Sequence, residues 1–139
     1  MPEKIASYCK ETNQPVPQTP GAFVRCCYES LALLYKKTIL MIEELIGSKI
    51  ERLHTVGGGS QNPLLNQLTA NSLQIPIYAG PAEATATGNM IVQAIALGHL
   101  PSIEVARDII RKSMKVNIIE PEEKQKWEDA YQKFLKIIG

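Results

Sequence analysis

A chain of 139 residues is long enough to bury one hydrophobic core and too short for two ordinary domains. With 45% hydrophobic and 21% charged residues it reads as a folded chain. A formal net charge of +1, with no basic stripe and no acidic tail, gives no support to nucleic acid or a membrane surface as a partner.

No apolar run is long enough to span a bilayer, and residues 1–5 lack the apolar body of a secretion signal. Three cysteines, Cys9, Cys26 and Cys27, are an odd number without regular spacing. That argues against a disulfide framework and for a reducing compartment, the cytoplasm. There is no Cys-x-x-Cys, and His54 and His99 lie far apart, so no zinc site is expected. Each thiol is expected to pack as a small apolar group, although Cys9 and Cys26 sit on consecutive helices and could approach one another.

Residues 2–12 read as a short helix with Ile5, Ala6, Tyr8 and Cys9 on its inner side. Pro15, Pro17 and Pro20 then fall within six residues, which cannot continue a helix and make a stiff, extended arm. Residues 21–46 form the longest helix. Val24, Cys27, Tyr28, Leu31, Leu34, Tyr35, Thr38, Ile42 and Leu45 repeat along it at three and four residues, and Gly47 ends it. Lys36, Lys37, Glu43 and Glu44 are assigned to solvent. Residues 49–56 are a strand with Ile50, Leu53 and Val56 as its apolar members. His54 has no acidic neighbour in sequence to orient it for acid–base work, so it is read as structural.

The next stretch is Gly57-Gly58-Gly59-Ser60-Gln61-Asn62-Pro63. Three glycines remove every Cβ from the turn and permit positive φ where a strand swings into a helix. Ser60 or Asn62 would cap that helix, and Pro63 suits its first turn. A helix N-terminus beside bare glycine backbone suits a phosphate or nucleotide. The same residues serve equally well as a tight turn that binds nothing. Residues 63–73 are the helix, with Leu64, Leu65, Leu68 and Leu73 inward and Asn66, Gln67 and Asn71 as polar positions.

Residues 74–79 are a second strand, with Pro76 near an edge or at the first paired residue. Strand, helix and strand with short connections predict a right-handed parallel βαβ unit. Residues 80–89 open a helix of small residues that runs to Leu97 and ends at Gly98. It is apolar nearly all round, so burial on most sides is expected, with Glu83 at the positive end of its dipole. Ser102 caps a further helix carrying Ile103, Val105, Ala106, Ile109 and Ile110. Arg107, Arg111 and Lys112 there are either a phosphate contact or a solvated face. Residues 116–119 are extended. A last helix begins at residues 121–123 and docks through Trp127, Tyr131, Phe134 and Ile138. The organisation expected is one domain over 1–139: helix and arm over 1–20, an α-β-α-β-α core over 21–98, and C-terminal helices over 99–139.

No Walker loop, Rossmann fingerprint or nucleophile elbow is present. The only aspartates, Asp108 and Asp129, lie on amphipathic helices. No residue is assigned as catalytic and none as a metal ligand. The chain reads as a binding half and not a complete active site.

Residues 56–70, from Val56 through Asn62-Pro63-Leu64-Leu65-Asn66-Gln67-Leu68 to Ala70, resemble the adenosine motif of the FGGY sugar kinases. Residues 80–89, Gly80-Pro81-Ala82-Glu83-Ala84-Thr85-Ala86-Thr87-Gly88-Asn89, resemble their second C-terminal segment. Tyr8-Cys9, Thr12, residues 14–21 and Glu29-Ser30-Leu31-Ala32-Leu33 narrow the likeness to the branch that acts on L-rhamnulose. The resemblance implies an α/β, helix-rich C-terminal lobe of an actin-like (ribonuclease H-like) ATPase. It implies transfer of the ATP γ-phosphoryl to the primary hydroxyl of that ketose, giving the 1-phosphate. Gly58 matches the backbone contact to the nucleotide, Gly57 and Gly59 leave room for the purine, and Asn62 matches the polar residue toward the adenine or ribose. Mg2+ would accompany ATP, with ligands outside this chain.

In that family the catalytic aspartate and the sugar pocket belong to sequence upstream of these motifs. The chain looks like the last quarter to third of such a kinase, lacking its N-terminal lobe and inactive alone. Its two strands would then lack neighbours, which predicts self-association through an exposed edge or cover by one of its own helices. The alternatives are a family member acting on xylulose, fuculose or glycerol, and an interaction module that no longer binds nucleotide.

Overall fold

Residues 1–138 are described by a computed structural model containing six helices and three strands. In chain order these are α1 (Pro2–Glu11), α2 (Pro20–Ile46), β1 (Leu53–Thr55), a 3-10 turn (Gly57–Gln61), α3 (Pro63–Leu73), β2 (Ile77–Ala79), α4 (Ala84–Ala96), α5 (Ile103–Ser113), β3 (Asn117–Ile119) and α6 (Lys124–Ile138). Among the described residues no helix is long and apolar enough to cross a membrane.

The βαβ unit forms as expected: β1 and β2 pair in parallel, Leu53 opposite Ile77, with α3 between them in sequence. Two features of the sheet depart from expectation. The strands are three residues each, shorter than 49–56 and 74–79. The Pro76 carbonyl still accepts from Leu53 N–H at 3.1 Å, but proline has no N–H to return, so the ladder starts at Ile77. The sheet is also mixed and not purely parallel, because β3 lies antiparallel to β2 in the order β1-β2-β3. The β2 strand therefore has a neighbour on each side, and its cover is a strand and not a helix. The outer edge of β1 has no strand partner among the described residues.

Local signals set the helix ends. Thr19 Oγ1 accepts from Ala22 N–H at 3.2 Å, Pro20 occupies the first turn of α2, and Gly47 closes it at φ 67°. The facing of α2 departs from that expected along most of its length, with only Cys27 and Tyr28 of the expected stripe partly covered. Ala32 and Leu33 are the buried positions, whereas Val24, Leu31, Leu34, Tyr35, Ile42 and Leu45 are exposed. The helix is apolar on two sides, so periodicity alone does not choose between them. Ala32 decides it, because its lack of bulk lets α3 approach until Ser72 Oγ donates to the Ala32 carbonyl at 2.8 Å. Ala32, Leu33, Leu68, Trp127 and Tyr131 form the resulting core, with Tyr28, Phe134 and Leu135 packed against it. The aromatic stripe of α6 thus docks as read from the sequence, although α6 begins at Lys124, later than expected, and Ile138 stays exposed.

Two charges assigned to solvent are instead structural. Lys36 Nζ donates to Glu128 Oε2 at 2.7 Å and lies 4.6 Å above the Tyr131 ring, with its side chain only 11% exposed. Glu43 accepts from Lys49 Nζ and from Ile50 N–H, tying the end of α2 to the approach to β1. The hydrogen bonds from Lys36 and Gln132 hold the Glu128 carboxyl below the usual glutamate range, and those from Lys49 and Ile50 do the same for Glu43. A depressed carboxyl adds stability that is fully present above its unfolded value, about pH 4.3, and is lost as pH falls through the folded value. Urea midpoints are expected to drop below about pH 4.3, and Lys36→Met is expected to make that drop shallower.

The α4 and α5 faces are the largest departures. Thr87 is the only buried residue of α4 among those described, while Met90, Val92 and Leu97 are each more than 60% exposed. On α5, Ala106 is buried and Ile103, Val105 and Ile109 are exposed. On α1, Cys9 is buried but Tyr8 is exposed, and Leu64 on α3 is exposed as well. These side chains are apolar as read. What they lack is a surface within residues 1–138 to pack on.

Candidate functional site

The three glycines are not equivalent. Only Gly57 has a positive φ, 72°. Its N–H donates to the Pro81 carbonyl at 3.1 Å, and the Gly80 N–H donates to the Thr55 carbonyl at 2.8 Å. The loops that follow the two parallel strands are laced together by this pair of bonds. They meet at the carboxyl end of the strands, where open α/β sheets place their ligands.

Gly58 and Gly59 lie within the 3-10 turn that precedes α3, so the strand does not pass directly into the helix. A Cβ added at either would meet nothing within 4 Å. Their backbone is thus an open face. Beside it is a cleft of about 340 Å³ with Gly59 and Asn66 at its polar side and Tyr35, Ile39, Val56 and Leu65 among its apolar lining.

Asn62, and not Ser60, caps α3: its Oδ1 accepts from Leu65 N–H at 3.0 Å. Its Nδ2 donates to the Tyr28 hydroxyl at 2.9 Å, which anchors the cap to α2. Ser60 Oγ donates back to the Gly57 carbonyl at 2.7 Å. The Asn62 amide is therefore engaged at both ends within the chain.

Sequence reasoning missed Asn66. Read as merely polar, it is 3% exposed. Its Nδ2 donates to the Ser60 carbonyl at 3.0 Å, and its Oδ1 accepts from Thr55 Oγ1 at 3.2 Å. Asn66 thus ties the glycine turn to the end of β1. The signal was available, since Asn66 stands one helical turn after the capping Asn62 and so shares its face. Asn66→Ala leaves the half-buried Thr55 hydroxyl and the Ser60 carbonyl without these partners and is expected to cost about 1–3 kcal/mol by urea unfolding. Faster amide exchange is expected at residues 57–61.

Buried Asn71 and half-buried Gln67 on α3 also find partners within the chain. Asn71 Oδ1 accepts from Glu122 N–H at 2.9 Å, and Gln67 Nε2 donates to the Glu120 carbonyl at 2.9 Å. Together they hold the connection between β3 and α6.

No charged side chain occurs from Thr55 to Ala82. The turn therefore offers backbone, amides and an apolar cleft, which suits holding a flat, uncharged group and supplies no proton donor or acceptor for transfer. Among the described residues no cluster of metal-ligating side chains is assembled. His54 is exposed and stacks on Tyr78 at 5.0 Å between ring centres. Cys9, Cys26 and Cys27 are free thiols; burial, then the nearby Cys9 and Cys27, push the Cys26 thiol up and keep it protonated.

The family described as the FGGY family of carbohydrate kinases, C-terminal domain, matches residues 1–97, which include both laced loops. The chain belongs to the FGGY family of carbohydrate kinases. The helix-rich α/β architecture is accordingly that of the C-terminal domain of an actin-like ATPase fold. The chain is 43% identical over 138 residues to a rhamnulokinase of Bacteroides thetaiotaomicron, covering 99% of this chain and 28% of that protein. It is 42% identical over 139 residues to a rhamnulokinase of Enterococcus faecalis, covering 98% of this chain and 28% of that protein. With a rhamnulokinase of Ligilactobacillus salivarius the identity is 41% over 137 residues, 97% of this chain and 28% of the relative. The chain thus spans little more than a quarter of the length of the curated relatives it matches.

Proposed function

We propose that these residues are the ATP-facing C-terminal lobe of a cytoplasmic rhamnulose kinase, which transfers the γ-phosphoryl of ATP to the primary hydroxyl of L-rhamnulose. The observation that carries the reading is the open Gly58–Gly59 backbone at the carboxyl end of two parallel strands, held rigid by Asn62 and Asn66. Gly57, Gly58 and Gly59 serve as the platform for the adenosine, with Asn62 at its far end. The relatives' printed name supports rhamnulose as the sugar over the other ketoses and polyols of the family.

The turn's donor set is backbone and amide without a carboxylate, which fits the base and ribose and does not fit Mg2+. Magnesium would arrive with the ATP phosphates and be held by groups outside residues 55–82. Phosphoryl transfer rests on positioning two substrates and stabilising charge, so a chain offering only the adenosine platform is inactive by itself. The N-terminal lobe of such a kinase would be its partner in the reaction. The unpaired outer edge of β1 and the apolar outer face of α2 supply the surface for that lobe, or for self-association when it is missing.

Calorimetric titration with ADP tests the platform. Gly58 is the chosen position because a side chain there enters open space and leaves the fold intact. Gly58→Val is expected to weaken ADP binding at least about tenfold, roughly 1.4 kcal/mol, with an unchanged urea midpoint. Equal affinity of the two proteins would leave the turn as a turn.

A further inference from the structure

The face of the sheet opposite α3 carries a second feature that the adenosine platform does not use. Parallel register places His54 beside Tyr78, and their stacked rings form the floor of a groove of about 820 Å³ between the sheet and α5. Arg52 stands ahead of β1, Arg107 and Arg111 lie one turn apart on α5, and Lys115 follows that helix; all four line the groove. No carboxylate lines it. Four of the fifteen lysines and arginines of a chain with net charge +1 thus converge from three segments on one recess.

Among the described residues Arg52, Arg107 and Lys115 make no ion pair within 4.0 Å. Arg111 pairs with Asp108 at 2.7 Å, but both side chains are more than 60% exposed, so that pair is weak and open to exchange. The charged set read from sequence changes accordingly, since Lys112 does not line the groove and Arg52 and Lys115 do.

We propose that this groove is an anion site that takes a small phosphate-bearing molecule. Cations that line one recess repel one another, and a phosphate relieves that repulsion while accepting several of their N–H donors. The volume lies within the range of small-molecule pockets. Its wall at Pro81 belongs to the loop whose carbonyl takes the Gly57 N–H.

The test is calorimetric titration of the chain with inorganic pyrophosphate, and separately with a hexose monophosphate, which distinguishes a bare phosphate from one carried on a sugar. Saturable one-site binding of either is expected. It should weaken about tenfold in the Arg52→Gln/Arg107→Gln double variant and again when ionic strength rises from about 0.02 to about 0.3 M. It should persist in Gly58→Val and in the presence of saturating ADP. Both arginines are exposed, so circular dichroism of the double variant is expected to match the parent. The proposal is overturned by no saturable binding of either probe, by binding indifferent to the arginines, or by displacement by ADP, which would assign the anion to the adenosine platform. Binding of polyglutamate with neither phosphate bound would also overturn it, in favour of an acidic protein partner.

Discussion

Gly80→Ala is expected to destabilise the chain by about 3 kcal/mol, read as a lower urea midpoint with an unchanged slope. Gly80 sits at φ 125°, where an L side chain is strained whatever the space around it. Here there is no space either: a Cβ would stand 2.9 Å from the Lys115 carbonyl oxygen and 3.6 Å from Val116 Cα. Those are backbone atoms leading into β3, so they cannot yield without dragging Asn117–Ile119 off β2. The Gly80 N–H also donates to Thr55, so the strain reaches the lacing of the two loops. A loss in ADP affinity is expected alongside the loss in stability. A midpoint within error of the parent would mean that β3 does not hold this register.

Trp127→Ala is expected to cost about 4 kcal/mol, a large share of the stability of a chain this size. Trp127 is 5% exposed and is the part of α6 that meets Ala32, Leu33 and Leu68. Its indole N–H is buried and has no hydrogen-bond partner among the described residues. The ring thus contributes through its packing volume, against the penalty of an unpaired donor of about 1–3 kcal/mol. Trp127→Phe removes that donor while keeping most of the apolar area, and is expected to stay within about 1 kcal/mol of the parent. Thermal unfolding of both variants checks the pair. A phenylalanine variant as damaged as the alanine one would show that the indole N–H makes a stabilising polar contact.

Helix existence was legible throughout, because caps and breakers act over a few residues. Gly47, Asn62-Pro63 and Ser102 stand where sequence placed a helix boundary, whereas Thr19-Pro20, read as part of the extended arm, cap and open α2 one residue ahead of the expected start. The βαβ unit was legible for the same reason. The glycine turn was recognisable as special, yet the different conformations of its three members were not. The φ of Gly57 depends on its bond to Pro81, and Pro81 is 24 positions away in sequence.

Facing was the part that local pattern did not decide. On α2 two apolar stripes compete, and the one with the better repeat points outward because Ala32 and Ser72 bring α3 to the other side. On α4 and α5 hydrophobicity was read as burial, yet Met90, Val92 and Ile109 remain exposed. Polar residues failed in the reverse direction. Asn66, Thr69, Asn71 and Ser72 are all within 4% of full burial because each finds a partner inside the protein.

By itself, then, the sequence determined the elements, their order, the glycine turn and the family, since each rests on short-range chemistry or on motifs that lie contiguously along the chain. Tertiary structure alone decided which helix faces are inside, that β3 closes the far side of β2, that Asn66 fastens the turn, and that four separated cations share one groove. Those depend on which surfaces meet, and a burial preference states only that a side chain will be covered, not by what.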